Sequence, residues 1–175
     1  MTDAIPTWVH IVAATVWVGP QFFLFVAAIP ALRSIEDRQA RLRALRIITV
    51  RFGWLAWAAL LVLVLSGLSN TYDLILDDDF PIFFDFDFRF AWIFVTKMAL
   101  LGLAVFLTAL HSFVIGPRQL RLQEQAITVG RDSPAEAASL RRLSMLVSGL
   151  VLLASLGVLF AATLLADHTF SARPV

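Results

Sequence analysis

Cysteine is absent from the 175 residues, which excludes disulfides, thiolate metal sites and iron–sulfur ligation by this chain. Methionine is scarce and scattered, at Met1, Met98 and Met145, and neither Met-x-Met nor His-x-His occurs. The soft-ligand clusters that copper transport favours are therefore missing. Charge is also thin, at 15% of residues against 59% hydrophobic. The opening "MTDAIP" holds no Lys or Arg before the first apolar run. The basic start of a cleaved signal peptide is missing, so that run is expected to stay in the mature protein. Aromatic and basic residues are not interleaved in the manner of a nucleic-acid interface, and no nucleic-acid partner is expected.

The chain is rich in long apolar runs. A membrane-spanning helix needs roughly 20 apolar residues at about 1.5 Å each, and segments 7–29, 53–70, 90–115 and 143–166 satisfy this. Mean hydropathy is +0.82. The expectation is one all-α domain over 1–175, a four-helix transmembrane bundle in contact with lipid. Arginine is concentrated in loops 34–52 and 117–142, with Arg38, Arg41, Arg43, Arg46 and Arg51 in the first and Arg118, Arg121, Arg131, Arg141 and Arg142 in the second. The positive-inside rule makes both loops cytoplasmic, beside anionic headgroups, and both termini non-cytoplasmic. Asp73, Asp77, Asp78, Asp79, Asp85, Asp87 and Asp167 collect on the opposite side.

Two connections have a readable character. The stretch "RQLRLQEQAITVGRDSPAE" reads as a helical extension ending in a turn near Gly130. In "DDDFPIFFDFDFRF" (77–90), Phe84, Phe86, Phe88 and Phe90 alternate with charge at a period of two, which suggests an extended stretch. Its three leading aspartates lack the glycine and terminal glutamate of a calcium loop, and read as a solvated acidic surface.

Ionisable groups inside spanning helices are costly and face the bundle interior or its ends. Lys97, Leu101, Ala104, Thr108 and His111 follow steps of four and three and share one stripe of the third helix. His10, Ala14, Trp17 and Gln21 do the same on the first, where Pro20 is expected to kink the chain beyond Trp17. His10 and Lys97 each lie roughly 5 to 10 Å inside the outer face, whereas His111 lies about 21 Å further in. His10 and His111 thus cannot ligate one small ion, but each is a metal-ligand candidate by itself. His168 joins His10 if the C-terminal segment folds back over the bundle. Imidazole suits haem iron, copper or zinc, and Lys97 suits an acidic partner. Near His111, Arg46, Arg51 or Arg118 would serve as anchors. Against these roles stands a plainer one for every such residue: interhelical hydrogen bonding for the histidines, snorkelling for Lys97, and interface anchoring for Trp8, Trp54, Trp57 and Trp92. The serines of the second and fourth helices read mainly as packing contacts.

The segments "WVHIVAATVWVGPQFFLFVAAIPALR" and "WIFVTKMALLGLAVFLTALHSFVIGPR" resemble the copper-resistance protein D (CopD-like) membrane family, with His10, Trp17, Gly19 and Lys97 at matching positions. The same histidine and tryptophan, Lys97 and His111 are similar to the HemJ-type protoporphyrinogen oxidases, four-helix proteins thought to carry haem b. The resemblance implies a bacterial plasma-membrane protein. It also implies a haem-b redox or electron-transfer function, with His10 as axial ligand, Lys97 at a propionate and Trp17 beside the cofactor; on this haem reading His168 would join His10, and a second haem would sit near His111 and Arg51. A quinone or redox protein would then exchange electrons with it, and it would count as a membrane haem-dependent oxidoreductase if it acts on a substrate. Two alternatives stay open: copper transport or resistance, with copper captured by His10 and the acidic loop, and an accessory subunit of a homo-oligomer or larger membrane complex, with no cofactor.

Overall fold

A computed structural model describes residues 4–76, 85–128, 130 and 133–174, with no side-chain detail at 73–76 and 168. The acidic residues 77–84, Arg131 and the side chains of Asp73 and His168 fall outside the described residues. The chain is an all-α integral membrane protein of four spans. Lipid offers backbone groups no partner, so a helix that satisfies its own is the natural form for runs this apolar.

The first span comprises α1 (Ala4–Phe23), a π turn (Leu24–Ala28) and α2 (Ile29–Arg33). The second is the single helix α3 (Arg38–Leu76). The third joins α4 (Arg89–Leu110), a π turn (His111–Ile115) and α5 (Gly116–Thr128). The fourth is α6 (Pro134–Ala166), followed by the short α7 (His168–Ser171). Alternate spans run in opposite directions, so both ends of the described chain lie at one end of the bundle and the arginines gather mostly at the other.

Three sequence expectations change in detail. Helix α3 begins at Arg38 instead of near 53, because arginine, leucine and alanine are strong helix formers whatever their hydropathy. The chain stays helical through Pro20 to Phe23, and the first change of helix type comes at 24–28. There Ile29 N–H bonds the Leu24 carbonyl five residues back, just before Pro30. Gly116 N–H bonds His111 in the same way just before Pro117. Proline denies its i−4 carbonyl a donor, and a π turn ahead of it re-pairs the backbone. Finally, Asp85–Asp87 form a turn, with Asp87 N–H on the Asp85 carboxylate at 3.1 Å. Phe88 is extended, and Phe90 already belongs to α4. Gly130 ends the extension beyond α5 with φ +63°, a conformation that favours glycine.

Helices α1 and α3 form one closely packed pair and α4 and α6 another. Contact between the pairs is sparser, and α3 meets the third span through α5 more than through α4. Trp17, Val18, Ala59, Leu60, Leu107, Ile115, Val147 and Val151 make the shared core. At the terminal end, Arg89 N–H bonds the Arg173 carbonyl at 3.1 Å, Phe88 bridges to Pro174, and the Arg89 guanidinium lies over the Phe170 ring. The tail thus closes over α4 and α6. The Thr169 hydroxyl, bonded to Asp167 at 2.6 Å, holds that carboxyl below its usual range, helped by the Phe170 and Thr169 N–H groups.

Candidate functional site

His10 sits where α1 meets α3. Its Nδ1 lies 2.9 Å from Ser66 Oγ, and that hydroxyl is 2.6 Å from the Val62 carbonyl one turn back. A hydroxyl has one hydrogen to give. With that hydrogen directed to Val62, Ser66 accepts, so His10 Nδ1 donates, the tautomer that puts the ring's lone pair on Nε2. Gly67 makes room for the ring: a side chain there would place its first carbon 3.3 Å from His10 Cε1.

Lys97 projects from α4 at the same end, close enough to His10 to interact with it coulombically. It is half-buried, and among the described residues no carboxylate pairs with it. The two residues that the sequence places at one depth thus stand within electrostatic reach of each other, on the first and third spans.

One level deeper, the Trp17 indole donates to Ser155 Oγ at 3.0 Å. Gln21 Nε2 donates to the Trp17 carbonyl at 3.0 Å and approaches Ser155 Oγ at 3.4 Å. Ser155 directs its own hydrogen to Val151 at 2.8 Å. Trp17 is thus a buried link between the first and fourth spans, while Trp8, Trp54 and Trp92 are exposed as interface anchors would be. Thr108 is buried and bonds its own helix.

His111 opens the second π turn, and its Nε2 lies 3.1 Å from Ser144 Oγ on α6. The three arginines named as its anchors have other surroundings: Arg118 pairs with Glu136 at 2.7 Å, Arg46 approaches Glu124 at 3.8 Å, and Arg51 is exposed. At the other end, α7 packs on α4 and α6, and the His168 side chain lies outside the described residues. Among the described residues no group of three His, Asp or Glu is disposed to hold a metal ion.

Sequence reasoning found His10, Lys97, Trp17 and His111 but gave Ser66 no part in orienting an imidazole. Its signal was faint: a serine at a plausible depth, whose partner stands 56 residues away in sequence and depends on the register of two helices.

No curated protein and no solved structure matches this chain. The family described as a domain of unknown function, DUF4149, matches residues 12–128, which run from within α1 to the end of α5 and include Trp17, Lys97 and His111, while His10 lies two residues before the match. With about two thirds of its length matched, the chain belongs to the DUF4149 family.

Proposed function

We propose that this protein is a haem-b-binding redox protein of the membrane, with the haem held at the terminal end of the bundle by His10 and Lys97. The observation that carries the reading is the state of the His10 ring. Iron needs an imidazole nitrogen with a free lone pair, and metal-bound histidines commonly donate their other N–H to a fixed acceptor. His10 meets both conditions through Ser66. Lys97, an ammonium half-buried in a spanning helix without an acidic partner among the described residues, fits a propionate. The resemblance of these residues to CopD-like and HemJ-type proteins supports the same reading.

Haem iron supplies one-electron transfer when bound. The chain's own contribution is to fix the imidazole tautomer through Ser66, to offset one anionic substituent at Lys97, and to shield the inner side with Trp17 and its hydrogen bonds. The His111 site fits a second haem less well, since its Nε2 faces Ser144 and the nearby arginines are engaged or exposed. By the positive-inside rule the arginine-rich end is cytoplasmic, so the His10 site faces the other compartment.

The test is an absorption spectrum of detergent-purified protein, oxidised and dithionite-reduced, with pyridine haemochrome and elemental analysis of the same sample. A Soret band with reduced α and β bands, lost in His10→Ala, is the expected result. A colourless protein with stoichiometric copper would replace this reading with copper handling, and one with neither group would leave an accessory subunit.

A further inference from the structure

We infer that the centre of the bundle holds an ordered water molecule between Gln21 on the first span and Trp57 on the second. The inference does not depend on the haem reading. Gln21 Oε1 and Trp57 Nε1 are both shut off from solvent, and neither has a hydrogen-bond partner among the described residues. Buried polar groups in proteins are rarely left so, and an ordered water is the usual remedy where no side chain reaches.

Register brings the two residues to one level. His10 meets Ser66 and Phe23 stacks with Phe52 at 6.4 Å, which brackets Gln21 alongside residues 54–55 of the antiparallel α3. Trp57 is then within one turn. Its ring stacks on Phe113 of the second π turn at 5.5 Å, so the indole lies at the seam between the two helix pairs, where packing is sparser.

The chemistry of the two atoms selects the occupant. An indole N–H only donates, and an amide oxygen only accepts. Gln21 cannot offer its amino group, because Nε2 already serves Trp17 and Ser155. Whatever lies between must accept from Trp57 and donate to Gln21. A simple anion fails the second condition and a metal cation the first. A neutral hydroxyl group meets both, and in an interior closed by packing water is the smallest molecule that carries one. Gln21 stands three residues ahead of one π turn and the Trp57 ring lies on Phe113 within the other, so the polar level coincides with the irregular backbone of both spans. π turns are frequent at functional positions.

X-ray hydroxyl-radical footprinting of the full chain in lipid nanodiscs tests this, because radicals formed from a bound water oxidise the side chains beside it. Trp17 is the internal control, a buried indole whose N–H is already satisfied by Ser155. The expected result is several-fold faster oxidation of Trp57 than of Trp17, with the Trp57 rate falling to that of Trp17 in Gln21→Met. Equal rates in the unsubstituted chain, or a Trp57 rate unchanged by Gln21→Met in folded protein, would overturn the inference. A second measurement needs no variant: on rapid mixing with oxygen-18 water, an ordered molecule gives slower isotope uptake at Trp57 than at Trp8, exposed near the terminal end of α1. Uptake at the bulk rate would overturn it as well.

Discussion

At the scale of the residue, His10 shows how much of a side chain's role is decided by its neighbour's neighbour. Ser66 acts on the ring only because Val62 takes the serine's hydrogen. Ser66→Ala removes the acceptor and frees His10 to rotate or change tautomer. Loss of such outer partners typically costs about 10- to 100-fold in metal affinity, so haem content after titration should fall by that order while the fold survives. Retained affinity in Ser66→Ala would separate His10 from iron ligation. The sequence made His10 legible because a histidine at such a position in an apolar helix stands out. It concealed Ser66, and gave Gln21 and Trp57 no mutual relation, because nothing local couples α1 to α3. The unpaired atoms of Gln21 and Trp57 are a property of the packed bundle.

At the scale of the element, the two π turns share a design. Each closes with a five-residue hydrogen bond immediately before a proline. Gly116 is tight in this arrangement, since a side-chain carbon there would come 3.1 Å from the His111 carbonyl oxygen. That contact is with backbone and cannot swing aside, so Gly116→Ala should destabilise the protein by about 1–3 kcal/mol, the usual cost of overpacking. Gly19→Ala, where nothing lies within 4 Å, should leave the melting temperature in detergent unchanged or slightly raised. Comparing the two midpoints checks the claim, and equal behaviour would contradict it. The third-span stripe from Lys97 to His111 was readable from its steps of three and four, since the helix remains regular over that interval. The π turns were not, because hydropathy carries no record of a five-residue bond and the proline signal marks only where regular pairing must fail. Helix α3 was under-read for a related reason: Arg38 to Arg51 score as loop by hydropathy although arginine propagates a helix well.

At the scale of the whole molecule, four apolar runs were enough to give the all-α membrane architecture. Charge asymmetry gave an orientation that can be checked directly. Because the chain has no cysteine, Ser34→Cys and Thr169→Cys each create a unique thiol at opposite ends of the bundle. In intact cells an impermeant maleimide should label Thr169→Cys, and Ser34→Cys only after lysis; the reverse pattern would invert the topology. The pairing of α1 with α3 and α4 with α6 was beyond the sequence, since all four spans are apolar on most sides and stripes alone do not choose neighbours. The long α3 has a consequence for the lipid-headgroup expectation. Its 39 residues extend about 58 Å at helical rise against a hydrocarbon core of about 30 Å. If its apolar run enters lipid just beyond Arg51, Arg38 stands roughly 20 Å out along the helix axis. Charges in water are screened over about 8 Å at physiological ionic strength. Arg38 and Arg41 then lie beyond the electrostatic reach of the membrane, and only the arginines at the base of this projection, Arg51 and Arg46, are left to feel anionic lipid.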